Sequence, residues 1–147
     1  MIQRIQTLYL LVSAILLALL FALPIAEIAK DGAIYLFNYA GISQNGTPLK
    51  SGFVISFLVG IIVLLQMVTI WSYTNRTRQI RMTICSIFLL VGLLGAFSFF
   101  TYYSFNGAQI SFKLGAIFPL IAIVLDYLAI RSIKKDVALI RSIDRIR

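Results

Sequence analysis

Between Arg4 and Glu27 the chain runs 22 residues without a charge, between Lys50 and Arg76 another 25, and between Arg81 and Lys113 another 31. A helix needs about 20 apolar residues to cross the hydrocarbon core of a bilayer. A fourth apolar stretch follows, interrupted only by Lys113 and Asp126. In a chain of 147 residues these stretches leave no room for a separate soluble module. Residues 1–147 therefore read as a single integral membrane domain, with spans near 8–26, 53–73, 82–102 and 112–130. An outer loop covers 27–52 and a tail covers 131–147.

Inside the hydrocarbon a backbone must satisfy its own hydrogen bonds, which predicts helices for continuously apolar segments and argues against an alternating β-barrel. The expected fold class is an all-α membrane protein, a four-helix transmembrane bundle. The Leu-rich first stretch is longer than a signal-peptide core, and no small-residue cleavage site follows it, so it is read as a retained span.

Charge placement orients the bundle. Arg4, Arg76, Arg78, Arg81, Arg131, Lys134, Lys135, Arg141, Arg145 and Arg147 flank one side, and only Lys30, Lys50 and Lys113 the other. Cytoplasmic loops carry the excess of Lys and Arg, which predicts both termini in the cytoplasm of a bacterial inner membrane. The net charge of +8 then reflects orientation and anionic headgroups at the cytoplasmic face. It does not suggest nucleic acid, since the basic residues hug membrane boundaries without interleaved aromatics.

Composition also removes chemistry. There is no histidine and one cysteine, Cys85, which excludes His- or paired-Cys metal sites and His-based catalysis. No phosphate-cradling or dinucleotide glycine motif is present. No cofactor and no enzymatic activity are expected.

The first outer connection carries IYLFNYAGI and then Asn45-Gly46, a hairpin signal after a β-prone run. The second carries Asn106-Gly107 ahead of QISF. The two together can form a small sheet, a β-hairpin cap on the bundle. Such a cap is either a docking surface or a lid anchored at the interface by Tyr35, Phe37, Tyr39, Tyr102 and Tyr103. Asn45-Gly46-Thr47 and Asn75-Arg76-Thr77 match the glycosylation pattern but fall on opposite sides, and neither is read as functional.

Asp126 is the one acidic residue within a span, and intramembrane ionisable groups are functional candidates. Five residues separate it from Arg131, about 7–8 Å along a helix. Two roles stand open: an interhelical tie at the inner rim, pairing with Arg131, Arg4 or an arginine of the 76–81 segment, or a proton or cation relay. The relay needs a second polar group, and Ser56, Gln66, Thr69, Ser86 and Ser98 make a poor stripe. Pro119 predicts a kink in span four. Gly92 with Ala96, beside Gly95, and Ser56 with Gly60, have the small-residue spacing of close helix contacts.

The tail RSIKKDVALIRSIDRIR makes a basic amphipathic helix, with Ile133, Val137, Leu139, Ile140, Ile143 and Ile146 on one side. It is suited first to lying on an anionic leaflet and second to docking a partner, a reading to which Asp136 and Asp144 near the apolar sector add weight. The N-terminal turn is expected to meet this helix, with Arg4 near Asp126, Asp136 or Asp144.

The opening MIQRIQTLYLL, the ALPIA closing the first span and the closing DVALIRSIDRIR resemble a family of small four-pass inner-membrane proteins of Bacteroidota, a domain of unknown function. The resemblance covers the whole chain and implies a bacterial inner-membrane protein with both ends inside. It brings no activity or cofactor. Its matching positions are Gln3, Arg4, Gln6, Asp136, Arg141, Ser142, Asp144 and Arg145.

The candidate interaction or ion-pair positions are thus Arg4, Asp126, Arg131, Asp136, Arg141, Asp144 and Arg145. The expected function is that of an accessory or stabilising subunit of a larger membrane assembly, with a membrane-protein partner or a homo-oligomer. The alternative is an oligomeric transporter or channel for small solutes or ions. A third reading, a lipid-acting enzyme using Asp126 and Arg131, lacks any recognisable constellation.

Overall fold

A computed structural model describes residues 3–30, 32–104 and 107–144, with side chains over 5–30, 32–103 and 107–139. In chain order come helix α1 (Gln3–Leu19), strands β1 (Ala26–Lys30), β2 (Ala33–Asn38), β3 (Gly41–Gln44) and β4 (Thr47–Ser51), and helices α2 (Phe53–Trp71) and α3 (Arg76–Ser104). Strand β5 (Gln109–Phe112) and helix α4 (Leu114–Asp144) complete it. The strands form one antiparallel sheet in the order β4-β3-β2-β1-β5. The protein is therefore mixed α/β, not the all-α four-helix bundle that the apolar stretches predict.

Two local causes produce the sheet. Pro24 cannot continue a helix and pushes the residue before it towards extended backbone. The first helix accordingly ends at Leu19, unwinds through hydrogen-bonded turns to Leu23, and delivers Ala26 to β1. The aromatic and branched residues after it then suit a pleated surface buried on one side. Asn45 and Gly46, at φ 49° and 83°, make the two-residue turn whose twist matches a hairpin. The Asn-Gly signal is thus read correctly for β3 and β4. QISF is also a strand and pairs with β1, so the two outer connections join in one sheet as expected.

One face of the sheet rests on the helices. Ile28 lies opposite Tyr35 and Ile110, and Ala26 opposite Phe37. Phe37, expected as an interfacial anchor, is fully buried. Its ring meets Phe97 at 6.0 Å and Phe100 at 6.3 Å. Tyr102 and Tyr103 are exposed, as anchors should be.

Three helices, α2, α3 and α4, are long and apolar enough to cross a membrane, whereas the apolar part of α1, Ile5–Leu19, is shorter. Each helix buries a single stripe. On α2 it is Ile55, Val59, Ile62, Gln66 and Thr69; the other faces expose Phe57, Leu64, Met67 and Trp71. A helix apolar on its outward faces suits lipid surroundings.

Helix α4 runs unbroken through Pro119 to Asp144. The tail is consequently not a separate helix lying flat on a membrane: its first turns extend the fourth helix, and Ile133 and Asp136 are buried against the bundle. The small-residue pairs make no close approach, for a Cβ added at Gly60, Gly92 or Gly95 would meet nothing within 4 Å. The tight contact is at Gly115, where a Cβ would sit 2.6 Å from the Pro24 carbonyl oxygen.

Candidate functional site

Chain connectivity puts the sheet at one end of the bundle and Arg76, Arg78, Arg81, Lys134 and Lys135 at the other, here called the basic end. The interior is divided the same way. Leu17, Leu20, Ile25, Ile55, Val59, Leu90, Leu93, Phe97 and Ala122 form a dry core beneath the sheet. Nine of the ten buried polar residues described lie at or beyond the level of Asp126, towards the basic end; Thr101 is the exception.

At that level one side chain from each helix converges. The Gln66 amide nitrogen donates to Ser13 Oγ at 2.7 Å and stands 3.3 Å from both carboxylate oxygens of Asp126. Ser86 Oγ donates to Asp126 Oδ2 at 3.0 Å. Ser13, Gln66 and Asp126 are fully buried, Ser86 nearly so. Among the described residues the positive partner expected for Asp126 is not there. Arg131 points outward and helps line a shallow recess with Ile5, Tyr9, Leu128, Ser132 and Lys135. Among the described residues only neutral donors reach the carboxylate, and Gln66 Oε1 is buried with no hydrogen-bond partner.

The second polar layer lies at the basic end. Arg76 Nη1 pairs with Asp136 Oδ2 at 2.9 Å, and the Gln6 amide donates to the same oxygen. This joins α1, α3 and α4. The first turns of α1 therefore meet α4 at Asp136, and among the described residues its cation is Arg76. Beside this layer opens a cavity of about 370 Å³, lined by Gln6, Thr7, Leu8, Leu11, Tyr73, Arg76 and Gln79. The side chains of Arg4, Arg141, Asp144 and Arg145, named from the sequence, lie outside the described residues.

Sequence reasoning missed Ser13 and set aside Gln66 and Ser86 as too weak a stripe. A signal was present. Gln79, Thr83 and Ser86 follow one another at four- and three-residue spacing on an otherwise apolar helix, and all three are buried. Thr83 satisfies its hydroxyl on the Gln79 carbonyl at 2.8 Å, while Ser86 reaches across to Asp126 on α4. No group of three His, Cys, Asp or Glu side chains stands close enough to hold a metal ion among the described residues.

Fold and site together define a small bundle with membrane-length helices, capped at one end by an antiparallel sheet and tied internally by two polar layers. The chain belongs to the family described as a domain of unknown function, DUF4293, whose sequence model matches residues 2–146. No curated protein and no solved structure matches it.

Proposed function

We propose that this chain is a non-enzymatic, four-pass protein of the bacterial inner membrane that acts as an accessory or stabilising subunit of a larger membrane assembly. The observation that carries this reading is the split interior: a polar half at the basic end and a sealed apolar half under the sheet. A single copy so packed offers no continuous polar way from end to end, which favours a role by association over transport through one chain. Helix α1 counts as the fourth pass because its turns to Leu23 lengthen a 17-residue helix. Both termini are assigned to the cytoplasm from the basic end.

The test is purification from native membranes in mild detergent, with mass spectrometry and native-gel sizing of tagged and untagged protein. A stoichiometric partner supports the subunit reading; a chain that runs alone at every detergent concentration refutes it. The second reading, an oligomeric ion or solute transporter, is favoured by the buried Asp126 cluster. A homo-oligomer that carries ion flux in vesicles would replace the first reading with the second.

A further inference from the structure

The cluster at Asp126 has the composition of a ligand site. Three oxygen-bearing side chains, one each from α1, α2 and α3, meet around a carboxylate of α4 in an apolar bundle, and hard cations take oxygen ligands. An uncompensated charge buried in apolar surroundings is costly, so buried carboxylates are paired with cations or coordinate metals. Here the Gln66 amide nitrogen, between Ser13 Oγ and both Asp126 oxygens, stands where a positive partner would stand. Its own oxygen, buried and unpartnered, is the remaining donor. We propose that Ser13, Gln66, Ser86 and Asp126 bind one small monovalent metal cation of the sodium type, with the Gln66 amide turning its oxygen inward as the cation takes the place of its nitrogen.

Charge balance selects a monovalent ion. Asp126 is the one acidic residue at this level, so a single positive charge neutralises the site and a divalent ion leaves an excess in the bundle. The approach is from the basic end. Gln79 lines the cavity there, Thr83 follows on the same stripe, and Ser86 touches Asp126. On the sheet side, Ile62, Leu90 and Ala122 close the way. The site depends on neither reading of the function, since an accessory subunit and a transporter can each hold a structural or coupling ion.

The test uses the full chain in detergent at constant ionic strength and pH, melted in chloride salts of sodium, potassium or choline. Sodium is expected to raise the melting temperature saturably by several degrees over choline, because a ligand of the folded state alone stabilises by mass action. Asp126→Asn should abolish that shift. Should this variant fail to fold, Ser86→Ala, which removes one donor and leaves the carboxylate, should move the sodium midpoint upward at least several-fold. Equal melting in the three salts overturns the proposal. So does stabilisation by acid with no sodium effect, which would make the site a proton carrier only.

Discussion

Replacing Arg76 by alanine should destabilise the protein far more than the same change at the exposed Arg78, Arg81 or Arg131. Asp136 is 6% exposed and directs one oxygen, Oδ2, at both Gln6 and Arg76, while its other oxygen has no partner. Removing Arg76 leaves that carboxylate, among the described residues, with one neutral donor. Breaking a buried pair by deleting one partner costs about 3–5 kcal/mol. The Arg76 side chain keeps 20% of its surface, and water there puts the expected loss near the lower bound, about 3 kcal/mol. For a chain of this size that lowers the melting temperature by roughly 6–12 °C. The assay is thermal unfolding followed by circular dichroism in dodecyl maltoside at one fixed scan rate. Arg78→Ala, at an exposed position of the same helix, is the control and should stay within about 0.5 kcal/mol of the parent. The pair Arg76→Gln with Asp136→Asn removes both charges yet leaves Gln6 an acceptor, and should recover at least half of the loss. Equal melting of the Arg76 and Arg78 variants, or a double variant worse than Arg76→Ala, would refute the reasoning.

Gly115→Ala forces a methyl group against the Pro24 carbonyl and should cost about 1–3 kcal/mol as overpacking, read as a lower melting point. Phe37→Ala empties the seam between sheet and helices, where the ring meets Phe97 and Phe100; a loss of about 3–5 kcal/mol is expected in the same measurement. If the basic end faces the cytoplasm, a membrane-impermeant amine reagent applied to spheroplasts should modify Lys30 and Lys113. Lys134 and Lys135 should then react only after permeabilisation, and peptide mapping of the modified protein reads both.

The helices were legible and their ends were not. Apolar length alone places α2 within two residues, because nothing between Phe53 and Trp71 competes with a spanning helix. Residues 26–51 are ambiguous in sequence, for a strand buried on one face and a membrane-interface loop share aromatic and branched composition, and only Asn45-Gly46 marks a turn there. The pairing of β1 with β5 joins residues 80 to 86 positions apart, and no local pattern encodes its register. In the same way Asp126 drew attention as an acidic residue in a span, but its partners are a serine on α1, a glutamine on α2 and a serine on α3. Each is unremarkable in its own helix. In a bundle whose outer surface is apolar, burial is marked by polar residues repeating at three or four positions, and Gln79, Thr83 and Ser86 follow that inverted rule on α3.

What brings Ser13, Gln66 and Asp126 together is the sheet. Helix α2 starts from Gly52, whose amide bonds the Ala40 carbonyl at 2.7 Å, and α4 starts just after β5. Counting from these anchors, Gln66 lies fourteen residues beyond Gly52, Asp126 thirteen beyond Lys113, and Ser13 thirteen before Ala26. At 1.5 Å per helical residue Gln66 and Asp126 are each roughly 20 Å from the sheet, and Ser13 is carried to the same level by six helical residues to Leu19 and the turns beyond it. Strand pairing fixes the heights at which these helices begin or end, and equal spacing along the chain then becomes equal depth in the bundle. A slip of one residue between β1 and β5 would turn the edge strand over and shift α4 against α1, parting Asp126 from Ser13 and Gln66. The cap outside the helices thus sets the geometry of the polar layer within them. By this argument Gly41→Ala, whose added Cβ would sit 1.9 Å from the Lys50 carbonyl oxygen, should disturb the Asp126 cluster from the far side of the dry core. The expected outcome is a weaker sodium shift in a variant whose substitution touches none of the four ligands, and an unchanged sodium midpoint in folded Gly41→Ala protein would break the link between sheet and site.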